Sequence, residues 1–283
     1  MDENPRKLRA LMEAGEHFFA ADVYSALTAR IVERTGFKCA YLGGHACSMF
    51  HYAIPDNGIF SQVEQIDQAS RIIAAIDIPL IVDADTLGET VADAYHIARR
   101  HARAGVAGIH VEDEINPKHS TYDSGLVSIA DMQARLEAAA KGRGESGLVI
   151  IARSDELMIS AYRGGGGGSM EEAIKRGRAY AEAGADAIVY PAATAEQTQE
   201  LAGALPIPIF VLGPRMPGGL CTLHTGWGVA GAAQIHQERA RELFETGKVE
   251  FSANFESKRE LIDQPLYDAL TKDWAQKTGR RAR

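Results

Sequence analysis

Residues 102–113, ARAGVAGIHVED, carry the pattern that decides the fold. Helix-forming residues end at Gly105, small residues follow, and an apolar strand then finishes in two acids. The same form recurs in two further segments, ERTGFKCAYLGG (33–44) and AEAGADAIVYP (181–191). Gly36, Gly105 and Gly184 stand where the C-terminus of a helix favours a left-handed residue. The repeat therefore predicts that helices and strands alternate along the chain.

The predicted strands are short, apolar and rich in Ile and Val. They are CAYLGG (39–44), PLIVDAD (79–85), GIHVED (108–113), LVIIARSD (148–155), AIVYP (187–191) and PIFVLG (208–213). Nearly continuous apolar runs are typical of parallel strands that are buried on both faces. A first strand is expected near HFFAADV (17–23), and the last strand and its helix within GWGVAGAAQIHQERARELF (226–244).

The stretches between the strands have apolar residues at three- and four-residue intervals, which predicts amphipathic helices. Examples are VADAYHIARRHARAG (91–105), IADMQARLEAAAKGRG (129–144) and SMEEAIKRGRAYAEAG (169–184). Such alternation produces either a doubly wound sheet or a (β/α)8 barrel, and the number of units favours the TIM-type barrel. We expect one α/β barrel domain over residues 1–283, with a helical C-terminal extension.

Composition and charge exclude several classes of protein. The chain is 46% hydrophobic and 24% charged, which is typical of a globular protein. Its net charge of −8 argues against a nucleic-acid or anionic-membrane partner. Cys39, Cys47 and Cys221 have no zinc-site spacing and suggest a reducing compartment. The charged N-terminus lacks the apolar region of a signal peptide, so we expect a cytoplasmic protein with a small-molecule substrate.

Charged residues end three of the predicted strands, and barrels place their chemistry at those ends. Asp83 and Asp85 are two positions apart and point to the same side, while Glu112 and Arg153 end the next two strands. Three converging carboxylates repel one another unless a cation neutralises them. Oxygen ligands without a Cys or His cluster favour Mg²⁺, or Mn²⁺, over zinc. The alternative is a set of polar strand ends without function.

Several segments together resemble the isocitrate lyase/phosphoenolpyruvate mutase superfamily over about residues 10–215. They are YLGGH (41–45), IPDNG (54–58), VDADT (82–86), GIHVEDEINPK (108–118), IARSDE (151–156) and EAGADAIVYP (182–191). The resemblance implies Mg²⁺-dependent enzymes on a (β/α)8 barrel that act on C3 of a pyruvate unit through a pyruvate enolate. It also implies a swapped C-terminal helix and a homodimer or homotetramer.

The resemblance implies roles for the acids and the arginine. Asp83, Asp85 and Glu112 are expected to hold Mg²⁺, partly through waters, and Arg153 to face the oxygens of the pyruvate-like unit. A metal at an enolate oxygen supplies several kcal/mol of stabilisation. The permanently charged, planar guanidinium of Arg153 suits a carboxylate.

The resemblance also implies a carboxylate cradle and a gate. Gly43, Gly44 and His45 are expected to supply backbone N–H groups, because glycine lets a backbone approach an anion closely. Asp56 matches the family's acid after the second strand. Lys118 lies in the gate loop, whose closure is expected to exclude water from the enolate.

The chain departs from each branch of the superfamily. The gate, residues 117–121, reads Pro-Lys-His-Ser-Thr and lacks the cysteine with which the lyases protonate the enolate. The mutase and phosphonate-hydrolase gate is closer in form, but the mutase's Asn and its His after strand six are missing. Gly43 stands where the family has a serine. The lyase residues that follow strands six and seven are also absent, which argues against a tricarboxylate substrate and leaves the branch open.

Several side chains have both a functional and a structural interpretation. His119, whose ordinary pKa is near neutrality, is a candidate to replace the missing cysteine as proton donor, or it is a gate-loop surface residue. Asp56 is a general base or substrate contact, or a turn residue. Tyr41 and His45 are candidate substrate contacts beside the cradle, with a core role as the alternative for Tyr41. Arg215 binds a distal carboxylate or lies on the surface.

The glycine-rich segment YRGGGGGSM (162–170) lacks the lysine of a phosphate-binding loop. We expect a lid or a flexible linker that leads into a helix, with Ser169 as its N-cap.

Three classes of function remain after these considerations. The first is an Mg²⁺-dependent carbon–carbon lyase or decarboxylase for a small 2-oxo or 2-hydroxy dicarboxylic acid. The second is phosphonopyruvate hydrolase or phosphoenolpyruvate mutase chemistry. The third is a non-catalytic barrel that binds a metabolite, and the retained acids argue against it.

Overall fold

The computed structural model describes residues 1–119, 125–158, 168–249 and 255–280. Ser120 and Thr121 of the predicted gate, and most of the predicted lid, lie outside the described residues. The described chain forms two compact units, Met1–Ala230 and Gly231–Arg283. The expectation of a single domain over the whole chain stays a prediction.

Eight parallel strands form a closed barrel in which each strand pairs with the next and the last pairs with the first. The strands are β1 (Phe18–Asp22), β2 (Cys39–Leu42), β3 (Leu80–Asp83), β4 (Gly108–Glu112), β5 (Val149–Arg153), β6 (Ala187–Val189), β7 (Ile209–Leu212) and β8 (Gly219–His224). The prediction of a TIM-type (β/α)8 barrel is therefore confirmed.

The helices surround the barrel or follow it along the chain. In the first unit they are α1 (Glu3–Glu13), α2 (Ala26–Thr35), α3 (Gly44–Cys47), α4 (Gln62–Ile73), α5 (Val91–Arg103), α6 (Ile129–Arg143), α7 (Met170–Glu182) and α8 (Ala195–Ala204). Helix α9 (Trp227–Thr246) begins in the first unit and continues into the second, which also holds α10 (Phe255–Leu261) and α11 (Gln264–Thr278). None of the described helices is long and apolar enough to span a membrane.

Local capping explains where the helices start and stop. The φ angles of Gly36, Gly105 and Gly184 are 102°, 79° and 101°, the left-handed conformation expected of them. The hydroxyl of Ser169 accepts a hydrogen bond from the N–H of Glu172 at 3.3 Å, which confirms the predicted N-cap of α7.

The last strand lies earlier than expected. It is formed by GLCTLH (219–224), and residues 227–246 are helical. Only residues 213–218 connect β7 to β8, and this stretch contains turns but no helix. Pro214 and Pro217 in that connection cannot continue a helix, so the chain returns directly to the start of β8.

Alternate residues of each strand face two different cores. Ile109 and Val111 of β4 pack between the sheet and the helices, whereas Ile81 of β3 and Val149 of β5 fill the barrel interior. Leu8 of α1 belongs to the interior cluster and is fully buried. Because side chains alternate along a strand, every second residue faces the barrel interior, and this series includes the last residue of several strands. Asp22, Asp83, Glu112 and Arg153 therefore all point into the mouth of the barrel.

The second unit exposes large apolar side chains along both of its long helices. Phe244 of α9 is 91% exposed, and Tyr267 and Leu270 of α11 are 60% and 58% exposed. Exposed apolar surface of this kind marks an interaction site.

We predict that His101 makes the protein sensitive to acid. His101 in α5 is fully buried, its Nδ1–H donates to the carbonyl of Ile97 at 3.0 Å, and burial lowers its pKa to about 4. Below the ordinary histidine pKa of about 6.5 the unfolded chain binds a proton that the folded chain refuses. The free energy of unfolding should therefore fall between pH 6.5 and 4, by at most about 3 kcal/mol from this residue.

The check is urea unfolding of the wild type and of His101→Asn at several pH values in that window. The variant is expected to be less stable at pH 7.5 but to lose less stability towards pH 4. His96→Asn, an exposed histidine in the same helix, is the control. Parallel stability curves for wild type and His101→Asn would rule out this role.

Candidate active site

A cleft of about 170 Å³ opens at the C-terminal ends of the strands. Most of the predicted site residues line it: Tyr41, Gly43, Gly44, His45, Asp56, Asp83, His119 and Arg153. The other three, Lys118, Asp85 and Glu112, lie next to this set and contact it through ion pairs. The structure thus brings the predicted residues together, while their chemical roles stay predictions.

The three predicted metal ligands are buried and held by the backbone and by neighbouring side chains. Asp83 Oδ2 accepts a hydrogen bond from the N–H of Gly44 at 3.2 Å, and its Oδ1 accepts one from the N–H of Asp85 at 3.0 Å. Asp85 Oδ2 accepts from the side-chain amide of Gln62 at 2.9 Å. Glu112 Oε2 lies 2.8 Å from Arg153 Nη1. The carboxylates are therefore ordered before any ligand arrives.

Lys118 lies among these acids and is itself fully buried. Its Nζ is 2.5 Å from Asp85 Oδ1, 3.2 Å from Glu112 Oε1 and 3.3 Å from Asp56 Oδ1. Burial lowers the pKa of this ammonium, but Glu112, Asp83, Asp85 and Asp56 together raise it well above its ordinary value. Lys118 is therefore charged and neutralises part of the acid cluster.

The negative charge that Lys118 does not neutralise affects the pKa values of the acids. Burial raises the pKa of Asp85 to about 7, Lys118 opposes this rise, and the charges of Asp83 and Glu112 add to it. Burial acts in the same direction on Asp83, but Lys118, His110 and Arg153 outweigh it and hold its pKa well below the usual range. Among the described residues, the cluster thus holds more carboxylates than its cations neutralise.

The donor set fits a divalent magnesium or manganese ion. Asp85 Oδ1 and both carboxylate oxygens of Glu112 are buried, and the partners that the described part of the chain gives them are the cations Lys118 and Arg153. These are hard oxygen ligands, which Mg²⁺ prefers. Among the described residues, the group whose possible ligand atoms lie within 4.8 Å of one another is a different one, Glu112, Glu114 and His119, whereas Asp83, Asp85 and Glu112 are arranged around Lys118. The group with His119 contains an imidazole, so the all-oxygen set suits Mg²⁺ better.

Arg153 is held in place by Asp155, the acid at the end of the same predicted strand segment, LVIIARSD (148–155). Its Nε lies 2.5 Å from Asp155 Oδ1 and its Nη2 lies 2.8 Å from Asp155 Oδ2, a bidentate pair. Because the fork is fixed on one side, its third nitrogen is directed to Glu112. The guanidinium lines the cleft with its orientation already set.

Asp113 positions the backbone of Asp155 but does not itself line the cleft. Its Oδ1 accepts from the N–H of Asp155 at 3.0 Å. Its Oδ2 accepts from Ser154 Oγ at 2.8 Å, from Tyr180 Oη at 2.7 Å and from Arg176 Nη1 at 3.2 Å. Asp113 is fully buried and does not line the cleft. Among the described residues, Asp113 therefore acts on the cleft only through Asp155 and Ser154.

The predicted cradle is packed tightly against the acids. A Cβ added to Gly44 would lie 3.1 Å from Asp56 Oδ1 and 3.2 Å from Asp83 Oδ2. Glycine is therefore needed at this position, and the N–H of Gly44 already donates to Asp83. A Cβ on Gly43 would lie 3.2 Å from the Tyr41 ring, while His45 is exposed at the rim of the cleft.

His119 bridges the gate and the cleft. Its backbone N–H donates to Glu114 Oε1 at 2.8 Å, and its Nδ1 lies 3.0 Å from the carbonyl oxygen of Asp56. A carbonyl only accepts, so Nδ1 carries a proton. Nε2 lies 3.5 Å from Arg153 Nη2, which only donates, so this contact requires Nε2 to accept. Nε2 also lies 3.6 Å from Glu114 Oε2, so this nitrogen stands between Arg153 and a carboxylate.

The structure also shows where Arg215 lies, and it adds Asp22 to the residues that line the cleft. Arg215 is exposed and acts electrostatically on His17, which precedes β1 at the opposite end of the barrel. This position argues against a distal-carboxylate ligand and favours the surface alternative. Asp22, at the end of β1, lines the cleft although no motif pointed to it. Its interior position at the end of β1, like those of Asp83 and Arg153 at the ends of β3 and β5, is the signal that was available.

Curated relatives of the chain are metabolic enzymes that act on small acids. The chain is 34% identical over 192 residues to an isocitrate lyase of Haloferax volcanii, covering 67% of this chain and 54% of that protein. It therefore spans about half the length of that relative. It is 31% identical over 215 residues to 2,3-dimethylmalate lyase of Eubacterium barkeri, covering 75% of this chain and 71% of that protein.

Solved structures agree over almost the whole chain. Oxaloacetate acetylhydrolase in complex with the inhibitor 3,3-difluorooxalacetate matches with a TM-score of 0.84 at 27% identity, covering 99% of both chains. Phosphonopyruvate hydrolase in complex with oxalate and Mg²⁺ matches with a TM-score of 0.80 at 25% identity, covering 95% of this chain and 98% of that one.

The family comparison covers the barrel unit. Residues 8–230 match the model of the family described as phosphoenolpyruvate phosphomutase. This range includes all eight strands and every residue of the cleft described above. The chain therefore belongs to the phosphoenolpyruvate phosphomutase family, within the isocitrate lyase/phosphoenolpyruvate mutase superfamily.

Proposed function

We propose that the protein is an Mg²⁺-dependent carbon–carbon lyase or decarboxylase. Its substrate is a small 2-oxo or 2-hydroxy dicarboxylic acid, and the reaction passes through a pyruvate-type enolate. The observation that carries the proposal is the convergence of Asp83, Asp85 and Glu112 beside Arg153 at one wall of the cleft. An excess of buried carboxylates next to a fixed guanidinium supports a site for a cation and an anion together.

Each side chain contributes binding, orientation or charge. Asp83, Asp85 and Glu112 would hold Mg²⁺, which when bound stabilises negative charge on an enolate oxygen. Arg153 would pair with substrate oxygens, and its fork is preorganised by Asp155, so little side-chain entropy is lost on binding. Gly43 and Gly44 line the cleft, where their backbone would approach the substrate carboxylate.

Lys118 and Asp56 would join the gate to this site. Lys118 reaches the acids from the gate segment and contacts Asp56, which lies in the loop after β2. His119, the next residue, contacts the carbonyl of Asp56. These contacts would keep the gate over the cleft and exclude water while an enolate is present.

The names of the relatives support lyase or decarboxylase chemistry. They include 2,3-dimethylmalate lyase and an oxaloacetate decarboxylase of Rhodopseudomonas palustris, which is 31% identical over 209 residues. Cleavage of a bond next to a 2-oxo group needs an electron sink at that group, and the acids with Arg153 are placed to provide one. The missing gate cysteine does not prevent this step, because it concerns only the later protonation.

Phosphonate chemistry is the second candidate. A phosphonopyruvate hydrolase of a Variovorax species is 32% identical over 186 residues, covering 64% of this chain and 61% of that protein. The Pro117-Lys118 gate also resembles that branch in form. The two candidates share the enolate site and differ in the group that leaves.

We also propose that the protein is a homo-oligomer. The apolar side chains exposed on the second unit, including Phe244 and Leu270, support this proposal. The swapped C-terminal helix implied by the resemblance stays a prediction, and sedimentation analysis measures the state directly.

The function is tested by an assay of pyruvate release in the presence of Mg²⁺. We expect turnover of at least one compound from a panel of oxaloacetate, 2-methylisocitrate, substituted malates and phosphonopyruvate. EDTA should abolish it and Mg²⁺ restore it, because the acids are inactive as an electron sink without the ion. Release of phosphate from phosphonopyruvate, with no turnover of the carboxylic acids, would select the phosphonate candidate instead. No turnover of any member would contradict both.

The metal site is tested by thermal unfolding with and without Mg²⁺. The ion at about 100 times its Kd should stabilise the wild type by about 2.7 kcal/mol, because it binds only the folded chain. Asp85→Asn should lose most of that stabilisation. Asp67→Asn, an exposed acid in α4, should keep it. Equal Mg²⁺ stabilisation of Asp85→Asn and the control would exclude the assigned ligand set.

Lys118→Met should destabilise the metal-free protein more than the magnesium form. Removing the ammonium leaves buried carboxylates facing one another, which costs about 3–5 kcal/mol for a broken buried pair. Mg²⁺ should restore part of this loss, since it supplies positive charge to the same oxygens. Lys175→Met, which removes an exposed lysine paired with Glu172, is the control. A loss of the same size in EDTA and in Mg²⁺ would show that Lys118 and the ion act at separate places.

A further inference from the structure

The wall of the cleft opposite the acid cluster is built from β1 and the segment after β8. It carries Asp22, Thr225 and Gly226, with Leu212 of β7 beside them. The acids and cations discussed above do not belong to this wall. Asp22 is its one titratable side chain among the described lining residues, and the proposed function does not use it.

One carboxyl oxygen of Asp22 accepts a hydrogen bond from the backbone, and the other has no hydrogen-bond partner among the described residues. Its Oδ2 accepts a hydrogen bond from the N–H of Gly226 at 2.9 Å, and the residue is only 2% exposed. Its Oδ1 is buried and has no hydrogen-bond partner in the described ranges. A buried carboxyl oxygen without a partner is costly, so such a group either holds a proton or meets a donor on a ligand.

The open oxygen is directed towards the predicted cradle. Asp22 Oδ1 lies 3.8 Å from the position of a Cβ on Gly43. In a 2-oxo acid held by its carboxylate at Gly43 and Gly44, C3 is only two bonds from that carboxylate. The reacting carbon therefore lies within the part of the cleft that Asp22 faces.

The carboxyl also has a suitable acidity. Burial raises the pKa of Asp22 to about 6, and the hydrogen bond from Gly226 limits the rise. A general acid is most effective when its pKa is close to the working pH. Ordinary surface aspartates, with a pKa of about 3.9, hold almost no proton at neutral pH.

The two gate residues are less suited to donate a proton. Lys118 directs its ammonium to three carboxylates, which hold its protons. The Nδ1–H of His119 is directed to the carbonyl of Asp56, and its Nε2 lies between Arg153 Nη2 and Glu114 Oε2. Both side chains are engaged by partners that a proton transfer to C3 would have to displace.

We propose that Asp22 is the proton donor to C3 of the enolate, in place of the cysteine that the gate lacks. This inference rests on the proposed enolate chemistry. The electron pair of the enolate C2–C3 double bond forms a new C3–H bond with the Asp22 proton, and the C2–O bond becomes a carbonyl. The O–H pair stays on Asp22 as a carboxylate, which solvent then protonates. In reverse, the carboxylate removes a proton from the methyl group of pyruvate.

The test is exchange of the pyruvate methyl protons in D₂O with Mg²⁺, followed by proton NMR. This reaction is the reverse protonation step alone and needs no knowledge of the natural substrate. Asp22→Asn should slow the exchange by at least about 100-fold, the lower end of general acid–base catalysis. Its amide oxygen can still accept from Gly226, so the wall should stay intact. Asp22→Glu should recover part of the rate, and Asp67→Asn is the control.

Oxalate binding separates a catalytic from a structural role. Oxalate mimics the enolate and needs the ion, Arg153 and the cradle, but no proton transfer. Asp22→Asn should bind Mg²⁺ and oxalate within about threefold of the wild type while its exchange is lost. Loss of oxalate binding together with exchange would mean that Asp22 only maintains the wall, and would overturn the proposal.

Two further results have distinct meanings. Exchange at the wild-type rate in Asp22→Asn, or its loss in His119→Ala while Asp22→Asn retains it, would overturn the assignment of Asp22. A wild-type enzyme that binds Mg²⁺ and oxalate but never exchanges pyruvate would instead refute the pyruvate enolate of the proposed function. Failure of the inference and failure of the proposed function are thus distinguishable.

Discussion

Charge balance at the mouth of the barrel is the constraint on which the site depends. Asp83, Asp85 and Glu112 are buried around the ammonium of Lys118, and an uncompensated buried charge is among the most destabilising features a fold can hold. Lys118 offsets part of it from the gate segment, and Arg153 offsets part from β5. The remaining excess makes the site attractive for a divalent ion, and it also attaches the gate to the cleft electrostatically.

The barrel itself determines which residues meet there. Parallel strands in a closed barrel direct their last interior side chains into the same mouth, so neighbours along the sheet become neighbours in the site. Glu112 is in register with Arg153, and His110 with Asp83. The fold therefore converts residues that lie 30 to 40 positions apart in the sequence into one charged cluster. Asp155 and Asp113 then fix Arg153 from behind.

The sequence was sufficient for features that depend on local or periodic signals. Helix ends at Gly36, Gly105 and Gly184 and the ligand acids at strand ends follow from conformational preference and alternation. The last strand was misplaced because GLCTLH (219–224) is short and no helix precedes it, so the repeat that located the other strands is broken there. Asp22 was missed because its position in the site depends on a hydrogen bond from Gly226, which is 204 positions away in the sequence. No local sequence pattern indicates such a partner.

The absence of the gate cysteine is easier to understand once the two walls of the cleft are compared. One wall is crowded with charged side chains, and its carboxylates are engaged by Lys118, by Arg153 and by backbone N–H groups. The β1 wall has no such cation among its described residues, and burial there keeps a carboxyl closer to neutrality. A proton donor for an enolate is therefore better placed on the wall away from the metal acids. The gate is then free to serve in closure and charge balance alone.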